Sequence, residues 1–294
     1  SKQDAELTKY IYNRVPVLIN ENDPENGNPW GISFKQGLFN MTSDSHLFRT
    51  REELEEQGWT LKGNVFEKGG ERYLPLYEAK MINIYDHRYG DYGAVERGRR
   101  VHVLPDVPIE RKTHNDFSPL PYYWVHESEV TDKLRNAGWH SKWLIGWRDV
   151  TDARASARTV IASVIPAVGV GDKYLIELPS VEPKECAALL ACQASYPCDY
   201  VARQKVGGLS LKYFTMRQIA ILPPSLMDRS FPFAQGQAIS EWIKTRVLEL
   251  TYTAWDLKPL ADDLGYTGPP FIWDDKRRFH IRCELDAAFF HLYL

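Results

Sequence analysis

The stretch from Arg158 to Pro224 limits the fold more than any other part of the chain. A β-branched run from Thr159 breaks at Pro166 into the glycine turn Gly169-Val170-Gly171-Asp172, and Tyr174 to Leu178 returns as a partner strand. Branching at Cβ suits a pleated, half-buried surface. An alanine-rich helix follows from about Pro183 to Tyr196, small-sided enough to lie close against a sheet. Asp199 to Arg203 then leads into Gly207-Gly208, and Leu209 to Leu222 reads as extended chain ending in Pro223-Pro224. Glycine-punctuated strands beside a helix predict an α+β chain.

The remaining segments extend that reading. Residues 1–42 are expected as an N-terminal linker and segment, residues 43–225 as a mixed-sheet recognition domain, and residues 226–294 as a helical subdomain. Thr50 with Glu53 spells a capping box ahead of a helix stopped by Gly58, and Trp59 to Phe66 suggests a hairpin. Ser128 to Ala137 carries Glu129 and Asp132 early and Lys133 and Arg135 late, matching the helix macrodipole. Trp139, Trp143 and Trp147 recur every four residues, as a helical core stripe would, although Gly146 counts against a long helix. After Pro224 three helices are expected, over 235–250, 254–264 and from Asp274 onward. The opening at Ser1 and the closing apolar run Phe289 to Leu294 read as cuts from something longer.

Net charge is −3, so nucleic-acid binding requires local clusters of cations. There are two. Arg203, Lys205, Lys212 and Arg217 fall within 15 residues that hold no Asp or Glu, interleaved with Tyr213 and Phe214. Lys142, Arg148, Arg154 and Arg158 form the second, against Asp149 and Asp152. Cys186, Cys192, Cys198 and Cys283 form no CxxC pair, which predicts reduced thiols and a cytoplasmic protein. No apolar run reaches the roughly 18 residues that a membrane span requires.

Three patterns invite catalytic readings. Asn28-Pro29-Trp30-Gly31 approaches the Asn-Pro-Pro-aromatic motif of amino-methyltransferases but lacks the second proline, and a turn is the default. Asp86-His87-Arg88 offers acid, base and anion clamp, but adjacent strand residues face opposite ways, so Asp86 and Arg88 are expected as a pair or Arg88 as a phosphate contact. Asp172 with Glu182-Pro183-Lys184 imitates a metal-dependent endonuclease, with Pro183 where a core strand residue belongs.

Several segments together resemble the C-terminal half of large adenine-specific DNA methyltransferases of the type IIG restriction-modification and phage-defence kind. They are Ser43 to Phe48, Leu74 to Met81 with Tyr85 to Arg88, Arg158 to Ile161, Asp199 to Lys205 with Gly207-Gly208, and Arg282 to Tyr293. The span from Asp199 to Pro224 also resembles the TaqI-like specificity domain. The resemblance implies a target-recognition region for double-stranded DNA. Its partner would be a methyltransferase domain of the parent protein that uses S-adenosylmethionine, with no cofactor bound in this chain itself. Glycine-rich cofactor loop and Asn-Pro-Pro-aromatic motif are both absent. Candidate DNA contacts are Arg88, Arg148, Arg154, Arg158, Arg203, Lys205 and Lys212, with Gln204 as a base reader. A protein-interaction module built on the helical C-terminal unit, or a nuclease using Asp172, Glu182 and Lys184, are the alternatives.

Overall fold

A computed structural model describes residues 2–151 and 157–294. Its ten strands are β1 (Ser33–Gln36), β2 (Phe48–Arg49), β3 (Thr60–Lys62), β4 (Val65–Lys68), β5 (Glu71–Tyr77), β6 (Tyr123–His126), β7 (Trp143–Arg148), β8 (Ala162–Pro166), β9 (Gly169–Val170) and β10 (Tyr174–Leu178). The longer helices are α1 (Lys2–Arg14), α2 (Glu127–Asn136), α3 (Pro183–Gln193), α4 (Tyr196–Lys205), α5 (Ile239–Thr251) and α6 (Asp275–Tyr293). The chain is an α+β protein.

The strands form two sheets that share a hydrophobic core. The first is antiparallel, in the order β1-β10-β7-β8. The second runs β2-β6-β5-β4-β3, and β9 joins it parallel to β5 at Leu76 and Tyr77, so this sheet is mixed. Alternation along the first sheet explains why its strands read as continuous apolar runs. Trp143, Ile145, Trp147, Val164 and Leu175 enter the larger core with α1, α3, α5 and α6, whereas Leu144, Ile165, Tyr174 and Ile176 face the second sheet. A sheet covered on both sides has no polar face to offer.

This geometry corrects the tryptophan stripe. Trp143 and Trp147 are core residues, but on strand β7, where a spacing of four is also an even number and keeps both on one face. Gly146 between them admits no side chain, since a Cβ there would lie 2.1 Å from the Leu175 carbonyl oxygen. Gly169 to Asp172 is likewise more than a turn. It carries the chain from the first sheet into the second as β9 and back to β10, with both Leu38 and Phe39 donating their N–H to the Val170 oxygen.

The expected boundaries at 42 and 225 do not divide the cores. Ile11, Val15, Leu18, Trp30 and Ile32 pack in the same cluster as Ile281, Leu285 and Phe289, so the N-terminal segment is built in, with β1 as an edge strand. The capping box at Thr50 and the hairpin of β3 and β4 form as read, as do the last three helical segments. Leu209 to Leu222 is not one extended chain, because Tyr213–Met216 makes a helical turn. No described helix is long and apolar enough to cross a membrane. All four cysteines are free thiols, three of them buried.

Candidate nucleic-acid interface

The site is organised around a loop that follows the second sheet. Tyr85 adopts φ 55°, an unfavourable value for a residue with a Cβ, and this turns Asp86, His87 and Arg88 inward. Arg88 is fully buried, and its guanidinium donates to the carbonyls of Lys112, His114, Phe117 and Thr253 and to Thr253 Oγ1, at 2.9–3.2 Å. Burial lowers its pKa, with Asp256 and Asp86 drawing it back. His87 Nε2 meets Asp256 Oδ1 at 2.9 Å. Asp86 accepts from the Arg88 N–H, and its other oxygen accepts from Lys112 Nζ at 2.5 Å. The expected Asp86–Arg88 side-chain pair therefore gives way to an Asp86–Lys112 pair. Arg88 is a buried tie between two distant segments, unavailable to a phosphate in this conformation.

Above this knot opens a cleft of about 580 Å³. It is lined by Arg148 at the end of β7, by Arg158, by Trp273 just before α6, by Asp275, Arg278, Phe279 and Arg282 in the first half of α6, and by Asn83, Asp86, Tyr89 and Lys112. A second cleft of about 660 Å³ is lined by Lys80, Arg100, His102, Lys173, Glu78 and Asp172, and by Arg148 again. Both clefts have Arg148 in their linings and, taken together as a trough, they hold more cations than carboxylates.

Cations in the trough differ in what they already hold. Arg278 donates to the carbonyls of Leu250 and Tyr85 and lies 3.6 Å over the Trp273 ring, and burial pushes its pKa down to about 10. Arg158 donates to the Ala194 carbonyl and sits 3.4 Å from Asp199, whose carboxylate also takes the N–H groups of Thr159 and Val160. Arg148 and Arg282 are different. Neither makes a hydrogen bond or ion pair with a described residue, and the Arg148 Nε is shut away from solvent without a partner. Burial lowers the Arg148 pKa with only Tyr89 opposing it. A half-buried guanidinium lacking a counterion has already given up hydration, and an arriving anion restores its hydrogen bonds.

Of the sequence candidates, the trough brings together Arg148 and Arg158. Arg154 lies outside the described residues. Arg203, Gln204 and Lys205 form the last turn of α4 and line neither cleft. Arg203 is 3.7 Å from Asp199 and Lys205 lies 5.0 Å over the Tyr12 ring, while Gln204 is exposed. Lys212 donates to the fully buried Asp149, which Lys173 also approaches at 3.7 Å. Cluster counting missed Arg278, Phe279 and Arg282, whose signal is the basic and aromatic opening of the last helix, Lys276-Arg277-Arg278-Phe279.

The nuclease constellation is not assembled. Asp172 precedes β10 and Glu182 follows it, so roughly 16 Å of strand lies between them. Asn28 folds a turn as expected, holding both the N–H and the carbonyl of Ile32. No protein-family model matches this chain, and no curated protein matches it.

Proposed function

We propose that this chain is the DNA target-recognition region of an adenine-specific DNA methyltransferase of the restriction-modification or phage-defence kind. It grips duplex DNA along the trough, while a methyltransferase domain of the parent protein, using S-adenosylmethionine, carries out the transfer. The observation that carries the proposal is Arg148, a guanidinium in the lining of both basic clefts with no hydrogen-bond or ion-pair partner among the described residues. Phosphate contacts position a protein on DNA and a few side chains read base edges, so a neutral chain with one concentrated trough suits the task. Asn83, in the cleft lining, carries an amide suited to adenine.

The test is fluorescence anisotropy of labelled duplex at two salt concentrations, comparing wild type with Arg148→Ala plus Arg282→Ala. The expected result is salt-sensitive binding that falls at least ~10-fold in the double variant, with a salt slope shallower by about 2. Binding that ignores salt, or that both proteins share equally, would reject the proposal.

A further inference from the structure

We propose that the cleft between Arg148 and α6 takes a single unstacked nucleotide unit, its phosphate held by Arg148 and Arg282 and its base lying on Phe279. The choice of ligand rests on the nucleic-acid reading of the trough, but the geometry is its own.

Phe279 is 64% exposed, beside exposed His280, on a helix that buries Arg278 and Ile281. An aromatic ring left in water at the wall of a polar cleft offers a face to another flat ring. The second large aromatic there cannot serve. Trp273 is 8% exposed, with Arg278 at 3.6 Å and Lys112 at 4.4 Å from its ring centre, and its Nε1 donates to Asp275. Lys112 is matched with Asp86, and Arg158 with Asp199. Among the described residues, Arg148 and Arg282 are the lining cations with no hydrogen-bond or ion-pair partner, Arg282 acting only as a charge near Asp286, and the Phe279 ring keeps an open face. Two guanidiniums beside one free aromatic face match a phosphate joined to a base. The volume of about 580 Å³ lies within the range of small-ligand sites and is far more than an inorganic anion fills. Asn83 adds an amide for the base edge.

A phosphate and a base can come from a nucleotide displaced from a DNA strand or from a free nucleotide, and the test separates the two. Calorimetric titrations would use dAMP and inorganic phosphate against wild type, Phe279→Ala, Phe279→Tyr and Arg282→Ala, all checked for intact folding by circular dichroism. In parallel, anisotropy would compare a fully paired duplex with the same duplex carrying one bulged adenine. The expected result is dAMP binding that weakens about 10-fold in Phe279→Ala, survives in Phe279→Tyr and is lost in Arg282→Ala. Inorganic phosphate should respond to Arg282→Ala but not to Phe279→Ala. A preference for the bulged duplex that disappears in Phe279→Ala supports the nucleotide site with a DNA strand as source, and dAMP binding without that preference supports it with a free nucleotide as source. Salt-sensitive duplex binding with no response of either the bulge preference or dAMP to Phe279→Ala overturns the nucleotide site and leaves the DNA proposal standing. Binding of dAMP without duplex binding does the reverse.

Discussion

The basic turn from Arg203 to Arg217 and the cleft from Arg148 to Arg282 hold similar side chains in opposite conditions. In the turn, Arg203 faces Asp199, Lys212 is held by buried Asp149, Arg217 meets Glu21 at 2.5 Å and Lys205 covers Tyr12. In the cleft, Arg148 and Arg282 make no hydrogen bond or ion pair with a described residue, although Arg282 lies near enough to Asp286 to draw its carboxyl pKa down against burial. The turn is denser in charge along the sequence, yet Asp199 on the same helix pairs with Arg203 and the other carboxylates come from elsewhere in the chain, 63 residues away for Asp149 and 196 for Glu21. Density of Lys and Arg in a sequence measures how many cations are present. Availability depends on what the fold sets opposite them.

The sharpest way to break this contrast is to remove a cation the fold has already used. Arg88→Ala takes away five donated hydrogen bonds and leaves buried carbonyls without donors. A loss of about 3–5 kcal/mol is expected, read as a lower urea midpoint. Arg148→Ala, in contrast, should leave the midpoint almost unchanged, because no described partner is orphaned. An Arg88→Ala protein as stable as wild type would show that buried ties and free cleft arginines cannot be told apart by their hydrogen bonds.

An acid sharpens the same comparison. Glu177 on β10 is fully buried and, among the described residues, only the Gln193 amide of α3 hydrogen-bonds it, at 2.9 Å. Burial pushes its pKa up to about 7, with the Gln193 hydrogen bond drawing it back. The folded chain therefore holds this proton more tightly than the unfolded chain, where the group titrates near 4.5. Its favourable contribution is complete below pH 4.5, declines as pH rises towards 7 and is absent above that, a difference on the order of 3 kcal/mol. Glu177→Gln should flatten this decline, gaining stability at pH 8 and none at pH 4. Denaturant midpoints across that range decide it, and a variant with the wild-type slope would assign the decline to other groups.

Much of the fold was legible because its signals are local. The capping box at Thr50 and Glu53, the Tyr174 to Leu178 strand and the three C-terminal helices depend on residues a few positions apart. The buried strand at Val160 to Ile165 was legible from its unbroken β-branched run, whereas β7 was not, because tryptophans four apart fit helix and strand alike. The site was half legible. Arg148 and Arg158 belong to a cluster visible in the sequence, whereas Arg282 and Phe279 join them only because α6 packs back across the loop that Arg88 ties down. Arg88 itself looked like a contact because a short motif does not reveal which carbonyls the chain will bring to it.

The smallest expected effect is the most direct check on the contrast. Arg203→Ala plus Lys205→Ala removes two cations from the last turn of α4, where both are partly exposed or exposed. Arg203 loses a contact to Asp199, but Asp199 keeps Arg158 and the N–H groups of Thr159 and Val160, so its charge stays satisfied. Lys205 gives up a ring contact at the surface. Stability should shift by no more than ~0.5 kcal/mol, and duplex affinity by less than about 2-fold at fixed salt. If availability rather than density governs binding, this pair must matter far less than Arg148 and Arg282. A loss matching theirs would move the DNA-facing surface to the Gly207-Gly208 turn, and the partnered state of its cations would then be a resting state that DNA displaces.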